Sequence, residues 1–210
     1  MDIADKVTEK NSIKQFQENG YAVIQNLVDL SICSFLYEYA LKGAQFGKLS
    51  SGDDAVPETP CRYADPFMET LLEMLHPRVE KEVGTQLYPT YSYFRVYKNG
   101  DILTRHKDRP SCEVSVSLNL GYKAVEPWPI WVEHAGVSTG IPLAQGGALI
   151  YRGTEVTHWR ERYEGEHAVQ VFLHYVAQSG PNQEWKFDKR EGLAIPPLTR
   201  QILEQLRSAI

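Results

Sequence analysis

From Tyr88 onward the hydrophobic pattern changes to a period of two and keeps that rhythm to Val176. Tyr91, Tyr93, Arg95 and Tyr97 fall on one face of a first strand, because successive side chains of a strand point to opposite faces. Further strands are expected at 102–108, 113–120, 129–133, 148–151, 155–158 and 168–176. Asn99-Gly100 is a hairpin signal between the first two. Many short strands separated by Gly and Pro turns suggest a sandwich or a barrel.

Before this body the pattern is helical. Ser12 is placed to cap a short helix over 13–18 that Asn19-Gly20 ends, followed by a short strand at 21–24. Asp29 or Ser31 caps a second helix with Ile32, Phe35, Leu36, Ala40 and Leu41 on one stripe. Residues 47–65, rich in Gly, Ser, Asp and Pro, read as a long loop, either an active-site cover or simply mobile. Asp65-Pro66 reads as N-cap and first position of a third helix, with Met68, Leu71, Leu72, Leu75, Val79 and Val83 buried and Gly84 at its end. A last amphipathic helix is expected after Pro196-Pro197, with Leu198, Ile202, Leu203 and Leu206 on its apolar side. The expectation is one domain over 1–210: a mainly helical flank (1–86), an all-β core (87–178) and a tail with a helix (179–210).

The charge balance excludes some functions. With 22 basic and 27 acidic residues the chain is acidic overall, without the basic footprint of a nucleic-acid binder. Cys33, Cys61 and Cys112 are odd in number and lack CxxC spacing, which argues against a disulfide framework or a structural zinc site. The N-terminal residues are polar and read as no signal peptide, and no apolar run reaches the ~20 residues of a membrane span. A cytoplasmic location is the resulting expectation; the oligomeric state is left open.

Within the strands one pair carries chemistry. His106 and Asp108 stand at i and i+2, so a strand would set an imidazole beside a carboxylate on one face. His158, four expected strands later, is the candidate third ligand. Two histidines and one carboxylate on one side of a metal leave positions open for substrate and oxygen, the arrangement of non-haem iron(II) oxygenases. His76, His134 and His174 read as structural, and Cys112 has no neighbouring base to activate it.

Several segments resemble the iron(II)- and 2-oxoglutarate-dependent dioxygenases, especially their prolyl 4-hydroxylase and phytanoyl-CoA hydroxylase branch. Phe16 to Val28 is similar to the helix and strand that open many phytanoyl-CoA-type members. Val96 to Asp108 is similar to the segment that enters the iron site of prolyl hydroxylases. Val114 to Asn119 resembles the next core strand, and Gly147-Ala-Leu-Ile with His158 the closing strands. The resemblance covers most of residues 13–176. It implies a mainly β fold with flanking helices, a double-stranded β-helix or jelly roll.

The resemblance also implies roles. His106, Asp108 and His158 would bind iron, with no further catalytic side chain, and Tyr97 would lie beside 2-oxoglutarate. Ser117 stands where prolyl hydroxylases have a tyrosine near the far carboxylate of that cosubstrate. The arginine or lysine that the family places nine to eleven residues after the distal histidine is missing, and the place falls on His167, Ala168 and Val169. Arg160, on the face of His158, is the first substitute, before His167 and Arg95. Arg109 and Trp131 are candidates for substrate contact.

The implied reaction uses iron(II), 2-oxoglutarate and oxygen and hydroxylates an unactivated C–H bond with release of succinate and carbon dioxide. Asp108 occupies the ligand position that halogenases of this type leave to halide. A small molecule of amino-acid or secondary-metabolite type is the first expected substrate and a peptidyl side chain the second. A non-catalytic jelly-roll binding module is the reading from another class, and binding of iron with 2-oxoglutarate separates it from the enzyme.

Overall fold

The computed structural model describes residues 12–195. Residues 12–19 form helix α1, and Gly20, at φ 76°, turns the chain into strand β1 (Tyr21–Ile24). Helix α2 (Leu30–Gln45) starts after Asp29, whose side chain makes no capping bond. Helix α3 (Pro66–Val83) has the ends its sequence called for. The Asp65 carboxylate accepts from the backbone N–H of Phe67 and Met68, Pro66 opens the first turn, and Gly84 closes the helix at φ 71°. The whole expected stripe of α3 is buried.

The loop expected over 47–65 contains two short strands, β2 (Ser50–Ser51) and β3 (Pro60–Tyr63), which pair with each other. The Gly and Pro turn signals around them hid their pairing, which comes from a partner distant in sequence: β3 lies against β4. The region expected as mainly helical therefore also supplies three strands.

Eight strands make the body: β4 (Leu87–Lys98), β5 (Leu103–His106), β6 (Val114–Lys123), β7 (Ile130–His134), β8 (Val137–Ile141), β9 (Ala148–Tyr151), β10 (Thr157–Arg160) and β11 (His167–Ala177). All pairings are antiparallel. One sheet runs β9-β6-β11-β4, extended by β1 beside β9 and by β3 and β2 beside β4; the other runs β5-β10-β7-β8. Two four-stranded sheets of this order form a double-stranded β-helix.

Two expectations change here. Asn99-Gly100 is not a hairpin, since β4 and β5 lie in different sheets. The buried Asp101 carboxylate accepts from Lys98 N and Thr59 Oγ1, and Gly100 N donates to Tyr163 O, so the turn carries the chain across instead of back. Strand β8 was unforeseen; Ala135 and Gly136, both at positive φ (49° and 78°), make the tight turn that pairs it with β7. The segment expected as a strand at 155–158 begins as a turn closed on Arg152 O, which moves β10 forward to Arg160.

Alternation within β4, β6 and β11 decides what lies where. Phe94, Val96, Val116, Leu118, Val169, Val171 and Leu173 pack with Met68, Leu72 and Val79 of α3 and Leu36 and Ala40 of α2. The other face of the same strands carries Tyr93, Arg95, Tyr97, Ser115, Ser117, Asn119, Gln170 and His174. The apolar faces are taken by the helices, so the polar faces line the barrel interior.

After β11 the chain folds back through a 3-10 segment (Gln183–Lys189) to α3. There Arg190 pairs with Glu69 through Nη2 and Nη1 at 2.6 and 3.2 Å, and also donates to Thr90 O. The expected helix after Pro197 lies outside the described residues. Among those residues no helix is long and apolar enough to cross a membrane.

Arg190 and Glu69 are 5% and 1% exposed at their side chains, so neither tolerates loss of the other. Arg190→Ala is expected to cost about 3–5 kcal/mol in denaturant unfolding, and an apolar replacement of both residues to recover much of it. A single-variant loss below about 1 kcal/mol would show that the pair behaves as a surface ion pair.

Candidate active site

His106 ends β5, His158 stands in β10, and the two are direct partners across the β5–β10 ladder. Their rings lie 4.2 Å apart between centroids. Asp108 joins them from beyond the end of β5, which corrects the expectation that strand periodicity sets it on the histidine face. Its backbone N–H donates to Gly153 O at 2.8 Å, and that tether holds the carboxylate in place. Asp108 Oδ1 then lies 3.6 Å from His106 Nε2 and 3.6 Å from His158 Nε2. The three ligand atoms form one group of metal-binding size.

The hydrogen bonds around the histidines set their tautomers. His106 Nδ1–H donates to Thr104 O at 2.8 Å and His158 Nδ1–H to Val156 O at 3.1 Å. Each ring is thereby oriented with the Nε2 lone pair toward Asp108. Burial pushes the pKa of His158 down, which favours its neutral imidazole. His106 is also desolvated, but the Asp108 carboxylate and the Thr104 carbonyl outweigh this and raise its pKa. For Asp108, burial is overcome by its histidine neighbours, and its pKa falls to about 2.

A second layer holds the carboxylate. Ser115 Oγ donates to Asp108 Oδ2 at 2.9 Å and accepts from His174 Nδ1–H at 2.9 Å. Burial lowers His174 to a pKa of about 4, so it serves this chain as a neutral donor. Sequence reasoning set His174 aside and missed Ser115 and Gly153. The signal available for the first two was their place on the inward faces of β11 and β6.

The triad opens on a cavity of about 260 Å³. Tyr63, Tyr91, Tyr93, Tyr97 and Phe172 make its wall aromatic, and Asp53, Arg95 and Arg109 supply charge. Arg160 belongs to the same barrel interior. It is 1% exposed, and its partners are the carbonyl of Trp128 (2.8 Å), Gln170 Oε1 (3.2 Å) and Ser117 Oγ (3.5 Å). Among the described residues none of its partners is a carboxylate. Its Nε has no acceptor, nor does the buried hydroxyl of Tyr97. Burial lowers Arg160 to a pKa of about 10, still cationic at neutral pH.

No protein-family model and no curated protein matches the sequence. Solved structures match over most of the chain. A Pseudomonas putida prolyl-4-hydroxylase is 14% identical, with 80% of this chain and 98% of that one covered and a TM-score of 0.66. A Trichoplax adhaerens prolyl hydroxylase, solved with a hypoxia-inducible-factor peptide, gives 14%, 89% and 96%, and 0.67. The epimerase SnoN, solved with Fe3+, α-ketoglutarate and nogalamycin RO, gives 13%, 92% and 94%, and 0.71. The fold is that of the 2-oxoglutarate-dependent iron oxygenases.

On this oxygenase fold the residues singled out from sequence separate into two sets. His106, Asp108, His158, Tyr97, Arg95 and Arg109 line one cavity, and Ser117 sits against Arg160. His167 and Trp131 are not brought to it. His167 stands at the first residue of β11, its Nε2 on the Tyr37 hydroxyl at 2.5 Å and its Nδ1 3.6 Å from Glu166. Trp131 points to the opposite face of β7 from the buried Ile130 and Val132, stacks on Trp159 at 6.0 Å and covers Gly140. Arg109 reaches the cavity already paired, with both terminal nitrogens on Asp188.

The residues present fit iron and 2-oxoglutarate. Two imidazole nitrogens and one carboxylate on one side suit iron(II) with open positions, and a buried guanidinium whose Nε has no acceptor, in a barrel interior that also holds the unpartnered Tyr97 hydroxyl, suits a carboxylate.

Gly153 leaves no room for a side chain, since a Cβ there would stand 2.5 Å from Asp108 Oδ2 and 2.2 Å from Cys112 O. Gly153→Ala is expected to displace Asp108 and weaken iron(II) binding at least about tenfold, in line with the loss of supporting partners at metal sites. Unchanged affinity in an isothermal titration would show that this contact does not position the ligand.

Proposed function

We propose that this protein is an iron(II)- and 2-oxoglutarate-dependent oxygenase that hydroxylates a small molecule. In this reading His106, Asp108 and His158 are the metal ligands, and Arg160 with Tyr97 holds the far carboxylate of 2-oxoglutarate. Arg160 carries the reading. A guanidinium buried among a carbonyl, an amide and a hydroxyl has lost its hydration without gaining a counter-charge, a cost that a bound carboxylate offsets. The absence of the family's usual cation after the distal histidine is then a relocation: the charge comes from β10 instead of β11.

When bound, iron(II) with 2-oxoglutarate and oxygen supplies the oxidising chemistry and releases succinate and carbon dioxide. The chain's own part is to bind, orient and shield. Thr104 and Val156 hold the two imidazoles by their Nδ1–H groups, and Ser115 and Gly153 hold Asp108. Asp108 fills the third protein position, which favours hydroxylation over halogenation. A cavity of about 260 Å³, lined by Asp53 on Arg95 and by Arg109 on Asp188, supports a compact substrate by its volume.

Two variants test the assignment. His158→Ala is expected to abolish iron(II) binding and 2-oxoglutarate turnover while circular dichroism stays native, and full activity would remove His158 from the triad. Arg160→Met is expected to raise the 2-oxoglutarate Kd by about 10- to 100-fold, the worth of hydrogen bonds to a charged group. His167→Ala should leave that Kd unchanged; the reverse order would transfer the carboxylate contact to His167.

A further inference from the structure

Of the three arginines around the barrel interior, only one is paired with a carboxylate that a ligand's carboxylate can displace. Arg160 is placed against main-chain and neutral groups. Arg109 is saturated: Nη1 and Nη2 lie 2.9 and 2.8 Å from the two oxygens of Asp188, which Tyr63 also fixes at 2.6 Å. Arg95 differs from both. Its side chain is 7% exposed, Nη2 donates to Asp53 Oδ2 at 2.6 Å, and Nη1 has no partner. Asp53 is the weaker member of this pair, with a side chain 39% exposed and set on the segment between β2 and β3.

Asp53 cannot use both oxygens on Arg95. Its Oδ1 accepts from Ala55 N and Val56 N at 3.0 and 3.1 Å, which folds its own loop, and only Oδ2 is left for Arg95 and the Tyr93 hydroxyl. A free carboxylate has no such commitment and can meet a guanidinium with two parallel hydrogen bonds, the stronger geometry. Removing Asp53 without replacement would leave a desolvated cation, so an incoming anion has a place to take.

We propose that the substrate carries a carboxylate that displaces Asp53 from Arg95, so that Arg95 is the substrate-recognition residue and Asp53 its internal stand-in. This deepens the oxygenase reading and rests on it. The acid would have an apolar or aromatic body, because Tyr93 and Tyr91 stand beside Arg95 in the cavity wall. Arg95, a candidate cosubstrate contact by its place in the sequence, thereby moves to the substrate side, with Arg160 left to 2-oxoglutarate.

The test uses the full chain without metal and benzoate as the probe, with benzamide as its neutral match, read by ligand-detected NMR. Asp53→Asn keeps an oxygen for Ala55 and Val56 and turns the atom facing Arg95 into a donor. It is expected to tighten benzoate at least tenfold and to leave benzamide unchanged. Tyr93→Phe, which takes one donor from Asp53, should give a smaller gain in the same direction. Adding Arg95→Gln to Asp53→Asn should abolish the gain. The proposal is overturned if Asp53→Asn leaves benzoate no tighter, if benzamide gains equally, or if benzoate binding survives Arg95→Gln but is lost in Arg160→Met. The oxygenase reading fails separately, by an absence of 2-oxoglutarate binding in the iron-loaded protein, and that result would leave the benzoate response of Asp53 and Arg95 in place.

Discussion

A strand has two faces, and in β4, β6 and β11 the apolar one is occupied. Phe94, Val96, Leu118, Val171 and Leu173 pack on α2 and α3 and form the main core with them. Everything else follows from that assignment, because a period of two sends each intervening residue to the barrel interior. Ser115, Ser117, Asn119, Gln170 and His174 are therefore buried and polar, and each must find a partner there. The interior becomes a polar chamber between two sheets, where the second sheet adds His106, His158 and Arg160. A one-residue slip of β11 would bury its polar set against the helices and empty the site.

The chamber is built as two regions with different electrostatics. Around Asp108 the contacts fix one carboxylate: Ser115 donates to it, His174 stands behind Ser115, and the backbone N–H is tied to Gly153. Its histidine neighbours outweigh burial and hold that carboxylate ionised, with a pKa of about 2. Around Arg160 the reverse holds: a cation is held by carbonyl and amide oxygens, with Tyr97 and Trp128 as its aromatic neighbours. A site for a cation and a site for an anion in one barrel match a chelated metal and a dicarboxylate, and the two sets of residues remain independent enough to be tested apart.

Much of this was legible in the sequence, for physical reasons that differ by element. Asp65-Pro66 and Gly84 bounded α3 because caps are local chemistry, and the alternation of β4, β6 and β11 was long enough to read. Strand pairing was less legible. Asn99-Gly100 has hairpin composition, yet a buried Asp101 and the Tyr163 carbonyl turn it into a crossing between sheets. The His106-x-Asp108 spacing pointed to two side chains that do meet, but by an incomplete reason, since β5 ends at His106 and a distant glycine places Asp108. Gly153 and Asp53 act through contacts between segments far apart in the chain, and no local pattern marks them. The choice among Arg160, His167 and Arg95 likewise needed the third dimension. Two of them differ from His167 only by which face of which strand reaches the chamber.

The central claim is that one barrel holds iron(II) and 2-oxoglutarate together. The most direct measurement is an anaerobic titration of metal-free protein with iron(II) and then 2-oxoglutarate, following the weak visible charge-transfer absorption of the chelate. The account predicts that the absorption appears only when both are present, saturates at one equivalent of each, and is lost in His106→Ala. A folded protein that binds iron(II) and shows no such absorption at saturating 2-oxoglutarate would contradict it, and the chain would then be a metal-binding jelly roll without this cosubstrate.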